Sequence, residues 1–475
     1  MSLSSKVSSK AFIERIVIEN FKSIRKLELR LKPGVNLLVG PNASGKTNIL
    51  EAIYFLYRAL AEEIDKTPYI PHIPQYWGPE DIIYGRDTSL KLRYEIGFRY
   101  YIYDEGKNLV LEFKPKFTVE FIVNKATVLP VRLELSYNND TLLTFSSNGI
   151  EVNIRKDLVE EAKDVLKKEV RRIIRKARAK GEYLLIKYPI ERLREKSLLN
   201  LIKFYMYPFS FDIGYVSERK LMVGDVFSIV SIPQTIPIIY KVHEVGTDMF
   251  KGFNTGFGFP APFFWLDRVR NVLSSVMLLK HPDVGALRDP KPLVASRRLD
   301  PRATNLAPVL YSLINMYGRM PERIEFALSK LFPDVKLKPE SRFGRVFLIA
   351  SERGLELPPP NIADGLLKLL AILAAIELKP SILLIDEIEN STHVGMLEYL
   401  IDELNSLEIP VIVATHSPIV VDLVGPERTF IVKRDSKLGT VIEEIRDVDK
   451  LRERLSELGV AFSDYVFYGK TKALT

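Results

Sequence analysis

The chain has 475 residues, 47% of them hydrophobic and 27% charged, with 68 Lys and Arg against 60 Asp and Glu and a formal charge of +8. That length exceeds one ordinary core and predicts two or three domains of globular composition. The absence of cysteine excludes disulfides, thiolate zinc sites and thiol catalysis. The opening MSLSSKVSSK lacks the apolar core of a signal peptide. The longest apolar stretch, Leu366–Leu378, is interrupted by Lys368 and Glu377 and is too short to span a bilayer. A cytoplasmic protein with no membrane partner is expected. Glutamine occurs only at Gln75 and Gln234, and with Lys, Arg, Glu and Ile abundant this composition points to a hot-growing source.

In chain order, "FIERIVIENFKSIRKLELRLKPGVNLLVG" alternates apolar and polar residues. It predicts two strands joined by a turn near Asn20–Ser23, then a third strand. Thr47–Leu60 carries a helical apolar stripe, and Thr67–Gly78 is a proline- and aromatic-rich loop. Residues 89–148 contain alternating runs that predict an antiparallel sheet. At Arg155 the period changes. Residues 155–180 predict a helix with an apolar stripe at Leu158, Ala162, Val165, Leu166, Val170, Ile173 and Ala177, and they hold eleven Lys or Arg against five Asp or Glu. That basic face suits DNA phosphates or plain solvation equally well. Residues 181–295 show no clear repeat, and the Gly- and aromatic-rich stretch 250–265 suits packing or base stacking. Regular patterns then resume. "TNLAPVLYSLINMYG", "PERIEFALSKLF" and "ADGLLKLLAILAAIELK" read as helices, and "GRVFLIAS", "SILLID" and "IPVIVATH" as strands. The helix "HVGMLEYLIDELNSL" between the last two strands predicts a parallel α/β layer. "RTFIVKR" and "TVIEEIR" return to strands, and Asp449–Leu458 closes as a helix.

Gly40-Pro-Asn-Ala-Ser-Gly-Lys-Thr47 matches G-x-x-x-x-G-K-[ST] between an apolar strand and an amphipathic helix. Glycines let the backbone wrap phosphates, and loop amides with the helix N-terminus supply positive potential. The candidate nucleotide contacts are Asn42, Ala43, Ser44, Gly45, Lys46, Thr47 and Asn48, with Lys22 and Ser23 from the first turn. Lys46 is assigned to the β/γ-phosphates and the Thr47 hydroxyl to Mg²⁺. "SILLIDEIEN" ends a buried strand in Asp386, a second Mg²⁺ ligand, and Glu387, which polarises the attacking water. An acidic pair at a strand end is common by itself; its pairing with the phosphate loop makes it informative. "VIVATHSP" places His416 at the end of a strand expected beside that of Asp386, where ligands of open α/β sheets gather. Asp364-Gly365 opens a buried helix whose N-terminal amides suit an anion. His243-Glu244 does not continue into a zinc motif.

The order of these motifs, with some three hundred residues after the phosphate loop, resembles the SMC/RecF-like branch of ATP-binding-cassette ATPases. "IENFKSIRKLELRLKPGVNLLVGPNASGKTNILEAI" is similar to the start of such proteins. "DPRATNLAPVLYSL" and "ADGLLKLLAIL" resemble the second lobe of AAA-type RecF/OLD-like ATPases. The resemblance covers about residues 11–150 and 296–432. It implies an α/β fold, a two-lobed P-loop head with a mixed sheet. Residues 1–150 would form lobe I, 151–295 an α+β insertion and 296–475 lobe II. It implies ATP and Mg²⁺ as cofactors, slow ATP hydrolysis, and a homodimer with ATP between two heads, the Asp364-Gly365 helix of one facing the phosphate loop of the other. It also implies a glutamine that couples the lobes to the metal, for which Gln75 is the candidate. Departures are Ala363 at a position usually held by serine, and Glu389-Asn390-Ser391-Thr392-His393 without the family's proline. The sequence shows neither long coiled-coil arms nor an acidic TOPRIM nuclease pattern. Two functions follow: an ATPase acting on DNA, or an ATP-gated switch that presents the insertion to a protein partner. A transporter ATPase is disfavoured by the Asn-Phe-Lys-Ser opening and the ADG signature.

Overall fold

A computed structural model describes residues 7–60, 78–104, 109–124, 128–137, 140–146, 149–155, 178–180, 183–188, 269, 272–390 and 392–468. From the amino terminus the chain forms β1 (Val7–Phe21), β2 (Ile24–Arg30), β3 (Gly34–Val39) and α1 (Lys46–Leu60). A run of strands follows: β4 (Lys91–Asp104), β5 (Leu109–Phe113), β6 (Lys116–Val123), β7 (Val128–Tyr137), β8 (Asp140–Ser146), β9 (Gly149–Arg155), β10 (Arg178–Lys180) and β11 (Tyr183–Tyr188). Next come β12 (Val276–Lys280), α2 (Val284–Arg288), β13 (Lys291–Pro292), α3 (Leu306–Tyr317), α4 (Glu322–Leu331), β14 (Val335–Arg342), β15 (Arg345–Glu352) and β16 (Leu355–Leu357). The chain ends with α5 (Asp364–Glu377), β17 (Ile382–Asp386), α6 (Val394–Asn405), β18 (Pro410–Thr415), α7 (Pro418–Val424), β19 (Thr429–Asp435), β20 (Gly439–Glu444), α8 (Val448–Leu458) and α9 (Phe462–Tyr468).

Contacts divide the chain into two units, one of Met1–Lys22 with Leu56–Ser274, the other of Ser23–Phe55 with Ser275–Thr475. Residues 23–55, expected with the rest of 1–150, thus pack with the carboxy-terminal part. The first unit is an antiparallel sheet in the order β10-β11-β9-β8-β7-β6-β4-β1, with β5 also on β4. Alternation builds it: Leu92, Tyr94, Ile96, Phe98 and Tyr100 of β4 are all buried. The intervening residues face out and carry ion pairs such as Arg93–Glu19 and Lys91–Glu120. The helix expected over residues 155–180 lies outside the described residues except at its ends, which correct it. Arg155 closes β9, and Arg178–Lys180 pairs with Tyr183–Leu185 as a hairpin. Backbone pairing to a neighbouring strand overrides the local stripe there. The stretch 250–265 and Gln75 also lie outside the described residues.

The second unit is the α/β layer. Its main sheet runs β2-β20-β19-β3-β18-β17-β12. Strands β19, β3, β18, β17 and β12 are mutually parallel, and β20 returns antiparallel. Every residue of β3, β17 and β18 is buried, as expected for parallel strands covered on both faces. One cover is α5, buried at every position from Leu366 to Ile376, Lys368 included. A small sheet, β13-β15-β14 with β16 on β15, completes the unit. The sequence reading missed β12, whose run Val276–Leu279 sits in a segment that shows no repeat. It becomes a strand because it pairs in register with β17.

Candidate nucleotide site

The parallel strands bring the carboxy-terminal ends of β3, β18, β17 and β12 to one edge, where the loops carry polar groups. After β3 the chain must pass β19 closely. A Cβ at Gly40 would lie 2.2 Å from the Val432 carbonyl oxygen. Gly45 adopts φ +107°, and a Cβ there would meet Thr440 Oγ1 at 2.0 Å. Ala43 is also left-handed, with φ 61°, and such alternation turns successive amides toward one point. Thr440, fully buried on β20, donates to the Ser44 carbonyl at 3.1 Å and meets the Ser23 hydroxyl at 2.7 Å. Asn48 donates to that same hydroxyl at 2.7 Å. Ser23, Asn48 and Thr440 therefore form one polar brace against the loop. Thr440 escaped the sequence reading because nothing local marks it. Asn42 and Ala43 are exposed, and Ser44 Oγ is buried without a hydrogen-bond partner among the described residues. Lys22 belongs to the other unit; its N–H donates to the Ile82 carbonyl at 2.8 Å and its ammonium lies over the Phe21 ring.

Lys46 opens α1 and folds back over the loop, donating from Nζ to the Gly40 carbonyl at 2.7 Å and to that of Pro41 at 3.1 Å. Burial pushes its ammonium below the ordinary range, opposed by the carboxylates of Asp386, Glu389 and Glu387. The next residue, Thr47, donates from Oγ1 to Asp386 Oδ2 at 3.0 Å. Residues 339 positions apart thus meet where sequence placed two ligands of one metal. Asp386 is 3% exposed, and burial pushes its carboxyl up, against the Thr47 hydrogen bond and the nearby charges of His281 and Lys280. A desolvated carboxylate beside a hydroxyl is a donor set that fits a hard, oxygen-seeking dication, so Thr47 and Asp386 would hold Mg²⁺.

At Glu387 the backbone turns left-handed, φ 54°, while its N–H still bonds the Ala414 carbonyl at 2.9 Å. Two partners reach its Oε2: Asn390 Nδ2 at 2.6 Å and His281 Nδ1 at 3.2 Å. His416 follows β18, which does pair with the Asp386 strand. Glu389 Oε1 accepts from the His416 N–H at 2.9 Å and lies 3.0 Å from its Nδ1. This leaves Nε2 for a ligand. Lys368, on α5 and 4% exposed, donates to the carbonyls of Glu387 at 2.9 Å and Asn390 at 2.5 Å. It ties the helix of Asp364-Gly365 to the loop of the acidic pair. Burial holds Lys368 down at about 8, opposed by Glu389 and Glu387. At the start of that helix Ala363 makes no side-chain cap, and the Asp364 carboxylate is taken by Arg288, which also donates to the Ile362 carbonyl at 2.6 Å.

Comparison with known families extends this geometry. A family model described as "AAA ATPase domain" matches residues 12–222. A second, "AAA domain, putative AbiEii toxin, Type IV TA system", matches residues 266–422. The DNA replication and repair protein RecF of Mannheimia succiniciproducens is 32% identical over 87 residues, 18% of this chain and 23% of that protein. Two segments of the chain thus match AAA-type ATPase models, and part of it is similar to RecF. RecF of Lactobacillus acidophilus is 47% identical over 45 residues, 10% of this chain and 12% of that protein. The matches thus span less than a quarter of these curated relatives' length. Among solved structures, the chain aligns over 93% of its length with 99% of an Smc head bound to the C-winged helix domain of ScpA, at TM-score 0.45 and 13% identity. It aligns over 92% with 99% of the SMC head domain from Thermotoga maritima, at TM-score 0.35 and 13% identity. Among the described residues no helix is long and apolar enough to cross a membrane.

Proposed function

We propose that this head binds ATP with Mg²⁺ at the phosphate loop, hydrolyses it slowly, and dimerises on ATP to act on DNA. The observation that carries the reading is the 3.0 Å bond from Thr47 to Asp386, with Glu387 next in chain. Lys46 exchanges the loop carbonyls for the β/γ-phosphates, a stronger charge-assisted contact. Mg²⁺, when bound, neutralises developing charge on the phosphates. Glu387 accepts a proton from water as its oxygen bonds the γ-phosphorus. The bond to the β–γ bridging oxygen breaks, and ADP and phosphate leave. His416, held at Nδ1 by Glu389, offers Nε2 to the γ-phosphate. Asp364-Gly365 serves the γ-phosphate of a second copy. DNA as partner is supported by the charge of +8 and by the name of the RecF relatives.

The test uses Glu387→Gln and Lys46→Ala. Glu387→Gln binds Mg²⁺-ATP, loses turnover by roughly 10²–10⁴-fold and accumulates as a dimer by light scattering. Lys46→Ala binds ATP at least roughly tenfold more weakly. Unchanged ATP affinity in Lys46→Ala sinks the phosphate-loop assignment; a persistent Glu387→Gln monomer sinks only dimerisation. A gel shift with single-stranded, duplex and supercoiled DNA, with and without ATP, decides the partner. Binding that does not weaken with salt argues against phosphate contacts.

A further inference from the structure

Strand β12 runs parallel to β17 with Lys280 level with Asp386. The next residue on each side is therefore His281 facing Glu387. Both turn left-handed at that point, φ 46° and φ 54°, a backbone state that residues with a Cβ seldom occupy. The stretch carrying His281 is pinned: the Lys280 N–H bonds the Pro301 carbonyl at 2.6 Å and the Asp283 N–H that of Arg302 at 2.8 Å. Lys280 itself is committed to Glu51, 2.6 Å away. The imidazole meets the acidic pair with Nδ1 3.2 Å from Glu387 Oε2 and Nε2 4.0 Å from Asp386 Oδ2.

Among the described residues, the contacts of His281 and Asn390 with the Glu387 carboxylate both fall on Oε2. Two partners within 3.2 Å of one oxygen limit the rotation of the carboxylate and leave Oε1 to accept from water. Asn390 comes from the same turn as Glu387, three residues on, and moves with it. His281 comes from another strand and ties the carboxylate to the sheet. We propose that His281 is a positioning residue that donates from Nδ1–H to Glu387 Oε2 and so aims Oε1 at the attacking water. The inference rests on the reading of Glu387 as the base of ATP hydrolysis.

The experiment compares His281→Ala and His281→Gln with wild type in steady-state ATPase assays, thermal melts and ¹⁵N NMR of the histidine rings. His281→Ala should lower kcat on the order of tenfold with KM for ATP within about twofold, since the contact matters only once water is attacked. His281→Gln, which keeps a donor of similar reach, should recover most of that loss, and both should melt with wild type. In a Glu387→Gln background, His281→Ala should cost nothing further, because the two act as a unit. Wild-type kcat in His281→Ala, a fully additive double variant, or a His281→Gln as slow as alanine each overturns the proposal. Independently of turnover, the ring signal lost in His281→Ala should shift in nucleotide-free Glu387→Gln. Turnover without that shift removes His281 and leaves the ATPase reading standing. The shift without turnover in wild type removes the ATPase reading, and this proposal with it.

Discussion

The two units solve sheet-building in opposite ways. In the first, antiparallel strands alternate buried and solvent-facing residues, and successive strand ends fall at opposite edges. Its polar side chains pair locally, as Arg93 does with Glu19 and Glu95. In the second, parallel strands are buried on both faces, so apart from Asn36, whose amide is satisfied by backbone carbonyls, polar side chains fall at the strand ends. Those ends lie at one edge; His281, Glu387 and His416 follow them directly, and Lys46 and Thr47 lie one loop beyond β3. Parallel pairing thus concentrates chemistry at an edge, whereas antiparallel pairing disperses charge over a face.

The largest contrast is expected between two glycines. Gly45→Ala forces a Cβ onto Thr440 at a left-handed φ, which disorders the amide cradle. ATP affinity should fall roughly 100-fold or more, given about 1.5–3 kcal/mol for each hydrogen bond to a charged group, by fluorescent-nucleotide titration. Gly97→Ala in β4 meets the Arg15 Cβ at 3.3 Å and the Arg15 carbonyl oxygen at 3.9 Å, and should leave ATP affinity unchanged and stability within about 1 kcal/mol. Equal effects would erase the distinction.

Leu384→Ala in β17 and Leu133→Ala in β7 remove equally buried side chains. Each should cost about 2–5 kcal/mol in denaturant melts. Only the first, two residues before Asp386, should also weaken Mg²⁺-dependent ATP binding. Loss of that dependence in Leu133→Ala would show that the antiparallel unit shapes the site.

Lys368 sharpens the comparison through pH. Between about pH 8 and 10.5 the folded protein holds this lysine neutral while the unfolded chain holds it protonated. The unfolded state then binds more protons, so stability rises with pH across that window. The gain is at most about 3 kcal/mol, and it should vanish in Lys368→Met. A Lys368→Met protein with the wild-type pH dependence would disprove the burial cost. The smallest effect belongs to the antiparallel face. Lys91→Ala breaks an exposed pair with Glu120 and should change stability by less than about 1 kcal/mol, less still in high salt.

The sequence by itself determined the elements whose signals are local. These are the phosphate loop with its flanking strand and helix, the apolar runs of β17 and β18 ending in Asp386-Glu387 and His416, the apolar helix α5, and the alternation of β4 to β8. Each follows from periodicity or from a backbone that only glycine permits, and both are written within a dozen residues. The tertiary structure decided what depends on partners distant in sequence. Thr440 braces the loop because β20 returns beside β19, and Ser23 is close only because β2 pairs with β20. Val276–Lys280 has no pattern of its own and becomes a strand through its register with β17, which alone carries His281 to Glu387. Lys368 reads as one interruption in an apolar run, yet burial beneath the Glu387 loop makes its charge a link between two parts of the site. Pattern encodes burial, but which groups meet is set by strand order.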